Sequence, residues 1–442
     1  MLQQPSRTVG HTERSWCHAV CGGTGIAVVV LRTSKPPNIP RLQTSLRTLQ
    51  TSHPILRSRL VHNNNTFSFL TSPTPSLTLT SHTLPSNVTD PLTQILELEL
   101  NRNTWHDSTN DQVFFGTVYT LPNANTWVVA LRLHVSACDR TTALLLLREL
   151  LTLMEMEEEH GAGQNSGNHK EEPGLAIEDL VPRGQGKKAV WTRGLDMLAY
   201  SLNSLRLSNL KFHDTKNPRF SQAVRLQLNQ NDTKRVLAGC KLNGIKLCGA
   251  LVAAGLMATH CSKRSSKKYG VVTLTDCRSS LESTLTDNFG FYHSAILNTH
   301  EMKGGERLWE LAKRTYEAFA ESKKCKKHFA DMADLNFLMC RAIENPSLTA
   351  AAALRTSVMS VFEETVVDND GAKQREIGVE DYMGCASVHG VGPSMAVFDT
   401  VRDGSLDCVC VYPAPLHSRE QMVEIVGKMK GFLVEAANVH KE

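Results

Sequence analysis

The feature that most constrains the fold of this 442-residue chain is a strand, a sharp turn and a helix within residues 127–151. Up to Val135 the segment begins with Trp127 and consists mainly of valine and leucine, which is typical of a buried strand. From Thr141 onward, apolar side chains recur at helical spacing: Leu144, Leu145, Leu147, Leu150 and Leu151. His134 and Asp139 lie at the turn. An ionisable pair there is a candidate reaction centre, or else a core histidine and a helix cap.

The composition is that of a globular protein with more than one domain. The chain is 41% hydrophobic and 21% charged, which excludes a disordered or collagen-like protein. At about 150 residues per domain, its length predicts two or three domains, and two large lobes are the simplest arrangement. The net charge of +4 is small for this length, so we predict no nucleic-acid partner.

The cysteines and the N-terminus bear on metal binding and location. Twelve cysteines are scattered without the paired spacing of a zinc site, so we predict no metal. Cys408 and Cys410 alternate with valines as in a strand, so we interpret them as core residues. The N-terminus is polar, and no apolar run approaches the ~20 residues of a membrane-spanning helix. We therefore predict a cytoplasmic protein with reduced thiols and no membrane partner.

Strand and helix signals alternate in both halves of the chain, which predicts an α/β architecture with mixed sheets. Leu42, Leu46 and Leu49 form one apolar helix face. In the second half, two helices are separated by the turn at 242–244, and Asp403-Gly404 predicts a tight hairpin between two strands.

Changes in composition along the chain suggest domain boundaries. Residues 155–174 are charged and lack apolar periodicity, so we interpret them as a flexible surface insertion. We place a first lobe at residues 1–175, a crossover linker with an amphipathic helix at 176–215, and a second lobe at 216–442.

Three segments together resemble the coenzyme-A-dependent acyltransferase superfamily, which includes nonribosomal peptide synthetase condensation domains, alcohol acetyltransferases and plant BAHD acyltransferases. They are SLRTLQTSHPILRSRL, LRLHVSACDRTT and TDCRSSLESTLTDNFGFYHSAI, in that order along the chain. The resemblance implies two chloramphenicol-acetyltransferase-like lobes with a channel between them. It also implies acyl-CoA as a co-substrate without a tightly bound cofactor, a small-molecule acyl acceptor and a monomer.

The family motif His-His-x-x-x-Asp-Gly falls on the turn described above, but two of its residues differ. Its first histidine corresponds to His134, its aspartate to Asp139 and its glycine to Arg140. The second histidine, which is the general base in the family, corresponds to Val135. A valine cannot accept a proton, so the resemblance implies another base or the loss of acyl transfer.

The resemblance also suggests roles for other residues. His134, His293 and His389 are the candidate bases. His293 lies in a segment similar to one that lines the channel in relatives, and His389 lies where BAHD enzymes carry a glycine-rich DFGWG motif that this chain lacks. In relatives the motif aspartate is structural and pairs with an arginine of the second lobe, so we predict a salt bridge between Asp139 and Arg278. The sequence does not identify which residues would bind the co-substrate.

Two principal functions stay open from the sequence. The first is transfer of an acyl group from acyl-CoA to a hydroxyl or amine of a small metabolite, as in plant-like specialised metabolism, with a noncanonical base. The second is a catalytically inactive relative that binds a ligand or a partner. A different reaction in the same pocket is a third possibility, because a fold does not dictate its function.

Overall fold

The computed structural model describes residues 6–63, 66–84, 90–106, 110–121, 126–159, 173–185, 207–260, 266–282, 285, 288–348 and 353–438. The chain forms two compact units. The first comprises Met1–Leu180, Leu281–Tyr292 and Asp370–Ser387, and the second comprises Val181–Ser280, His293–Asn369 and Val388–Glu442.

The first unit contains two sheets. Its strands are β1 (Ser6–Thr8), β2 (Thr24–Thr33), β3 (Ser58–Asn63), β4 (Thr66–Thr71), β5 (Thr80–Thr83), β6 (Asn110–Gln112), β7 (Phe114–Leu121), β8 (Thr126–His134) and β14 (Val379–Val388). The orders are β14-β2-β8-β7-β5 and β1-β4-β3-β6. In the larger sheet, β8 pairs antiparallel with both β2 and β7, which places its residues in the middle of the sheet.

Helices pack around these sheets and share a core with them. They are His11–Cys21, Ile39–Ser52, Pro91–Leu100, Arg140–Glu159, Ile177–Leu180 and Gly371–Glu376. The predicted helix face of Leu42, Leu46 and Leu49 is buried in this core. Asn38 caps that helix by accepting a hydrogen bond from the Arg41 N–H, as expected for an asparagine at this position.

The second unit is built on one mixed sheet. Its strands are β9 (Phe220–Gln227), β10 (Lys267–Asp276), β11 (His293–Met302), β12 (Arg355–Phe362), β13 (Val366–Asp368), β15 (Gly392–Arg402) and β16 (Ser405–Ala414). The order is β11-β10-β12-β15-β16-β9, and β13 pairs with β15. The three inner strands β10, β12 and β15 run parallel, and the outer pairs are antiparallel.

The helices of the second unit are Gln230–Leu242, Leu247–Thr259, Leu308–Lys324, Lys327–Ala330, Met332–Glu344 and Arg419–Asn438. Helix Leu247–Thr259 is almost entirely buried, which its small and apolar side chains allow. No single helix of the described ranges is long and apolar enough to cross a membrane. The bent pair Gln230–Leu242 and Leu247–Thr259 passes that test only when taken together.

The structure confirms the α/β fold class and several local predictions. The turn between β15 and β16 has left-handed backbone at both Asp403 (φ 45°) and Gly404 (φ 77°), as a tight hairpin requires. Cys408 and Cys410 are fully buried in β16, as predicted. The helix that starts at Arg140 continues to Glu159, further than the leucine pattern indicated.

Each unit is formed by three separate segments of the chain, so the two units are not consecutive stretches of sequence. From the sequence we assigned both Leu281–Tyr292 and Asp370–Ser387 to the second lobe, yet both pack in the first unit. The linear boundaries at residues 175 and 215 stay a prediction. Residues 160–172 of the predicted insertion and 186–206 of the predicted linker lie outside the described residues.

Candidate functional site

The predicted strand, turn and helix are present, and we call residues 134–139 the motif turn. Strand β8 ends at His134, a single 3₁₀ turn covers Val135–Ala137, and the helix begins at Arg140. The turn comes at the end of a central strand, so its side chains are surrounded by the core of the first unit.

Asp139 stabilises the start of the helix at Arg140 and also binds the segment Leu281–Tyr292. This segment belongs to the first unit although it lies far along the chain, and we call it the returning segment. Its carboxylate accepts hydrogen bonds from the N–H groups of Thr142 and Tyr292, each at 2.8 Å. Its own N–H donates to the Gly290 carbonyl at 3.1 Å. Asp139 is buried, and it therefore stabilises the turn as a helix cap that also binds a distant segment.

Two further residues hold the same returning segment, and the sequence did not indicate either contact. The Thr142 hydroxyl donates to the Gly290 carbonyl at 2.9 Å and accepts from the Gly290 N–H at 3.1 Å. His53 stacks on Phe289 with ring centroids 3.6 Å apart, and its Nε2 lies 2.7 Å from a Glu149 carboxylate oxygen. These contacts give His53 a structural role in holding the returning segment.

His134 is completely buried beside Ser136 and Trp105. Its Nδ1 accepts from the Ser136 N–H at 3.2 Å and lies 2.7 Å from the Ser136 hydroxyl, and its ring meets Trp105 edge-on at 5.1 Å. Because Nδ1 accepts a backbone hydrogen bond, the ring proton belongs on Nε2, which has no hydrogen-bond partner among the described residues. Burial lowers the pKa of His134 to about 3, so the ring is neutral at neutral pH.

Val135, which the sequence resemblance aligns with the family's general base, makes an apolar contact with Gly25. Gly25 has a φ of +97°, and a Cβ placed on it would lie 2.6 Å from Val135 Cγ1 and 3.2 Å from Trp16 Cε3. The valine side chain therefore packs directly on the glycine backbone and is only 7% exposed. Position 135 is an apolar packing position in this chain.

Arg278 and His293 lie at one end of the β10–β11 pair in the second unit. His293 is opposite Asp276 in the strand register, and its ring meets Phe362 edge-on at 5.8 Å. Arg278 donates to both carboxylate oxygens of Asp276, at 3.1 and 3.2 Å. The predicted salt bridge between Asp139 and Arg278 stays a prediction.

His389 lies in the turn between β14 and β15, and we call this turn together with the flanking strand residues, 388–393, the arginine loop. The buried guanidinium of Arg355 donates to the carbonyls of Val388 at 3.0 Å and Pro393 at 2.6 Å. His389 Nδ1 lies 3.0 Å from the Ser221 hydroxyl. Burial, followed by the charge of Arg355, lowers the pKa of His389 to about 4. Sequence reasoning missed Arg355 because an arginine at the start of a strand carries no distinctive pattern.

The predicted site residues are divided between the two units. His134, Val135 and Asp139 share one turn of the first unit, whereas Arg278, His293 and His389 belong to the second. Within the second unit, His293 begins the edge strand β11 and His389 precedes the inner strand β15. Over the described ranges, no three His, Cys, Asp or Glu side chains are arranged to hold a metal ion.

Comparison with known proteins finds similarity only at the level of structure. No family model matches the chain, and no curated protein matches it by sequence. A trichothecene 15-O-acetyltransferase from Fusarium sporotrichioides superposes with a TM-score of 0.73 at 12% identity, over 98% of this chain and 95% of that chain. The first condensation domain of the calcium-dependent antibiotic synthetase gives 0.68 at 14% identity, over 98% and 97%.

A third similar structure is the X-domain of teicoplanin biosynthesis in its complex with OxyB. Its TM-score is 0.60 at 15% identity, over 99% of this chain and 94% of that chain. The resemblance inferred from the sequence is thus confirmed for the fold, while the channel that it implies stays a prediction. The chain has the fold of the acetyltransferase and the condensation domain to which it is similar.

Proposed function

We propose that this chain is a ligand-binding protein built on the acyltransferase fold, and that it binds an acyl-CoA or a related small metabolite without histidine-dependent acyl transfer. The observation that carries the proposal is the packing of Val135 on Gly25 at the position where the family places its base. General acid–base catalysis contributes about 10²–10⁴-fold to a rate, and a valine contributes none of it.

His134 is poorly suited to replace the missing base. A general base works best with a pKa near the working pH and needs to reach the proton that it removes. The pKa of His134 is lowered to about 3, and its accepting atom Nδ1 is occupied by Ser136. The ring is also completely buried, so a substrate could contact it only after the turn had opened.

The similar structures support binding as a use of this fold. The X-domain was determined in complex with OxyB, and the condensation domain in complex with a substrate analogue. In those proteins the fold accommodates a small ligand in one case and a partner protein in the other. The identity of the ligand, a monomeric state and a cytoplasmic location stay predictions.

The second candidate is O- or N-acyl transfer from acyl-CoA with a noncanonical base, and His389 is the observation that favours it. Its ring is half-buried and neutral at neutral pH, because its pKa is lowered to about 4. A base with this pKa accepts a proton weakly at neutral pH, which is why we rank transfer second. His293 is buried at the start of β11 and is the other candidate.

Calorimetry and a thiol-release assay separate the two functions. Purified protein is titrated with coenzyme A and a panel of acyl-CoA thioesters, and each mixture is then assayed for free thiol with hydroxyl and amine acceptors. We expect binding of at least one thioester without thiol release above the uncatalysed rate. Turnover that His389→Ala or His293→Ala abolishes would favour the second candidate. If neither binding nor turnover were seen, both proposals for an acyl-CoA ligand would fail.

A further inference from the structure

Two arginines of the second unit converge on a single backbone carbonyl. Arg355 Nε and an Arg219 terminal nitrogen each donate to the Ala353 oxygen at 2.8 Å. Two like charges this close repel each other, and the repulsion is strongest where water is excluded. The neighbouring charge of Arg219 therefore makes the buried charge of Arg355 more costly, and a bound anion would offset that cost.

Arg355 has no acidic partner in the described part of the chain. It is buried, and its remaining hydrogen bonds go to the carbonyls of Val388, Pro393 and Gly390. Carbonyl oxygens satisfy its N–H groups but do not neutralise its charge. A buried charge without a counter-ion is costly, which favours a bound anion.

The positive charge of Arg355 acts on two nearby histidines, His389 and His417, and neither ring offsets that charge. Burial and then Arg355 lower the pKa of both His389 and His417 to about 4. Both rings are therefore neutral at neutral pH. His417 Nδ1 lies 3.3 Å from the Lys211 carbonyl, and His389 Nδ1 lies 3.0 Å from the Ser221 hydroxyl.

Arg219 is less buried than Arg355, so a ligand would approach the pair from the side of Arg219. Arg219 precedes β9 and is half-buried, and its guanidinium donates to the Ala353 carbonyl, whereas Arg355 is buried. His389, on the arginine loop, is half-buried as well. A ligand could thus contact Arg219 from the solvent while it receives the electrostatic attraction of Arg355.

We propose that Arg219 and Arg355 form an oxyanion site that binds a carboxylate or phosphate group. A planar guanidinium matches the geometry of both groups, so Arg219 would donate hydrogen bonds to the anion, while Arg355, whose N–H groups bind carbonyls, would attract it by its charge. The site lies within the second unit and does not depend on the motif turn or on the proposed function. Its alternative is that Arg355 only holds the arginine loop in place.

Calorimetric titration of the full chain at constant ionic strength tests the site. Inorganic phosphate and acetate are the probes, and they distinguish a phosphate from a carboxylate ligand. We expect one of them to bind the wild type and to bind Arg219→Gln about tenfold or more weakly, as for a lost charged hydrogen bond. Arg307→Gln, at an 85% exposed arginine of the same unit, should bind like the wild type. Absence of binding by the wild type, or equal binding by Arg219→Gln, would overturn the proposal.

A second measurement covers the case in which a variant changes the fold. The saturating anion should raise the pKa of His389, followed by NMR in the wild type, because it offsets the charge of Arg355. Arg219→Gln should lose this response at the same anion concentration, whereas Arg307→Gln should keep it. An arginine that only holds the loop would leave the pKa of His389 insensitive to phosphate and acetate, and the oxyanion site would then be rejected.

Discussion

Buried polar groups have different environments at the motif turn of the first unit and at the arginine loop of the second unit. At the motif turn, Asp139 is satisfied by backbone N–H groups, and His134 is neutral and sealed in the core. At the arginine loop, Arg355 keeps its charge and bonds only to carbonyls. The motif turn is therefore a structural corner in this chain, whereas the buried charge of Arg355 lies at a position that no sequence pattern indicates.

Replacing Asp139 should have the largest effect, because the motif turn depends on its carboxylate. Asp139→Ala removes the acceptor for two buried N–H groups, those of Thr142 and Tyr292. At about 1.5–3 kcal/mol for each hydrogen bond to a charged group, we expect a loss of about 4 kcal/mol in the free energy of unfolding. Asp139→Asn keeps one acceptor oxygen and should lose about half as much. Urea unfolding measures both, and an unchanged midpoint for Asp139→Ala would show that the turn does not need the carboxylate.

Gly25→Ala tests whether position 135 is packed as tightly as the structure indicates. The new Cβ would lie 2.6 Å from Val135 Cγ1, on a backbone with φ +97° that L-residues rarely adopt. Left-handed strain of about 1–2 kcal/mol and overpacking of about 1–3 kcal/mol predict a loss of about 3 kcal/mol.

A double variant separates these two contributions. Gly25→Ala with Val135→Ala should remove the clash and keep the backbone strain, so its coupling energy measures the contact. Gly427→Ala is the control for the substitution itself, because it lies in helix Arg419–Asn438 with open space around it. It should stabilise the protein by about 0.5–1 kcal/mol. Additive losses at 25 and 135 would mean that the two residues do not touch.

Introducing a histidine at position 135 tests whether the motif turn can support acyl transfer. If only the base is missing, Val135→His should raise thiol release from acyl-CoA by about 10²-fold over the wild-type background, which corresponds to about 2.7 kcal/mol. Val135→Gln is the matched control, since it adds polar bulk without a base. A rise in both variants would point to a change in packing, and no rise in either would show that more than the base has been lost.

The sequence predicts the elements well and the environment of the polar groups poorly. Hydrophobic periodicity and turn residues depend on neighbours along the chain, so they locate β8, the helix at Arg140 and the Asp403-Gly404 hairpin. The packing of Val135 depends on Gly25, more than a hundred residues earlier, and one partner of Asp139 is Tyr292, far along the chain. Contacts between residues that are far apart in the sequence produce no periodic pattern. A sequence motif can therefore identify the fold without identifying the chemistry of the site.

The pH dependence of stability should distinguish the sealed His134 from an accessible one. Its pKa is about 3 in the folded chain and 6.5 when unfolded, so the unfolded state binds more protons between these values. The contribution of His134 is fully present above pH 6.5 and is lost progressively as the pH falls toward 3. At about 1.36 kcal/mol per pH unit, the wild type should lose about 2 kcal/mol between pH 6.5 and 5 from this residue.

His134→Gln isolates this contribution, because glutamine can still accept from the Ser136 N–H but does not titrate. Urea unfolding at pH 7.5 and pH 5 should show a smaller pH-dependent loss for the variant than for the wild type, by about 2 kcal/mol. The other buried histidines are common to both proteins, so their contributions cancel in the difference. Identical pH dependence in the two proteins would mean that protons reach His134 in the folded state. The motif turn would then be open enough to be reconsidered as a reactive site.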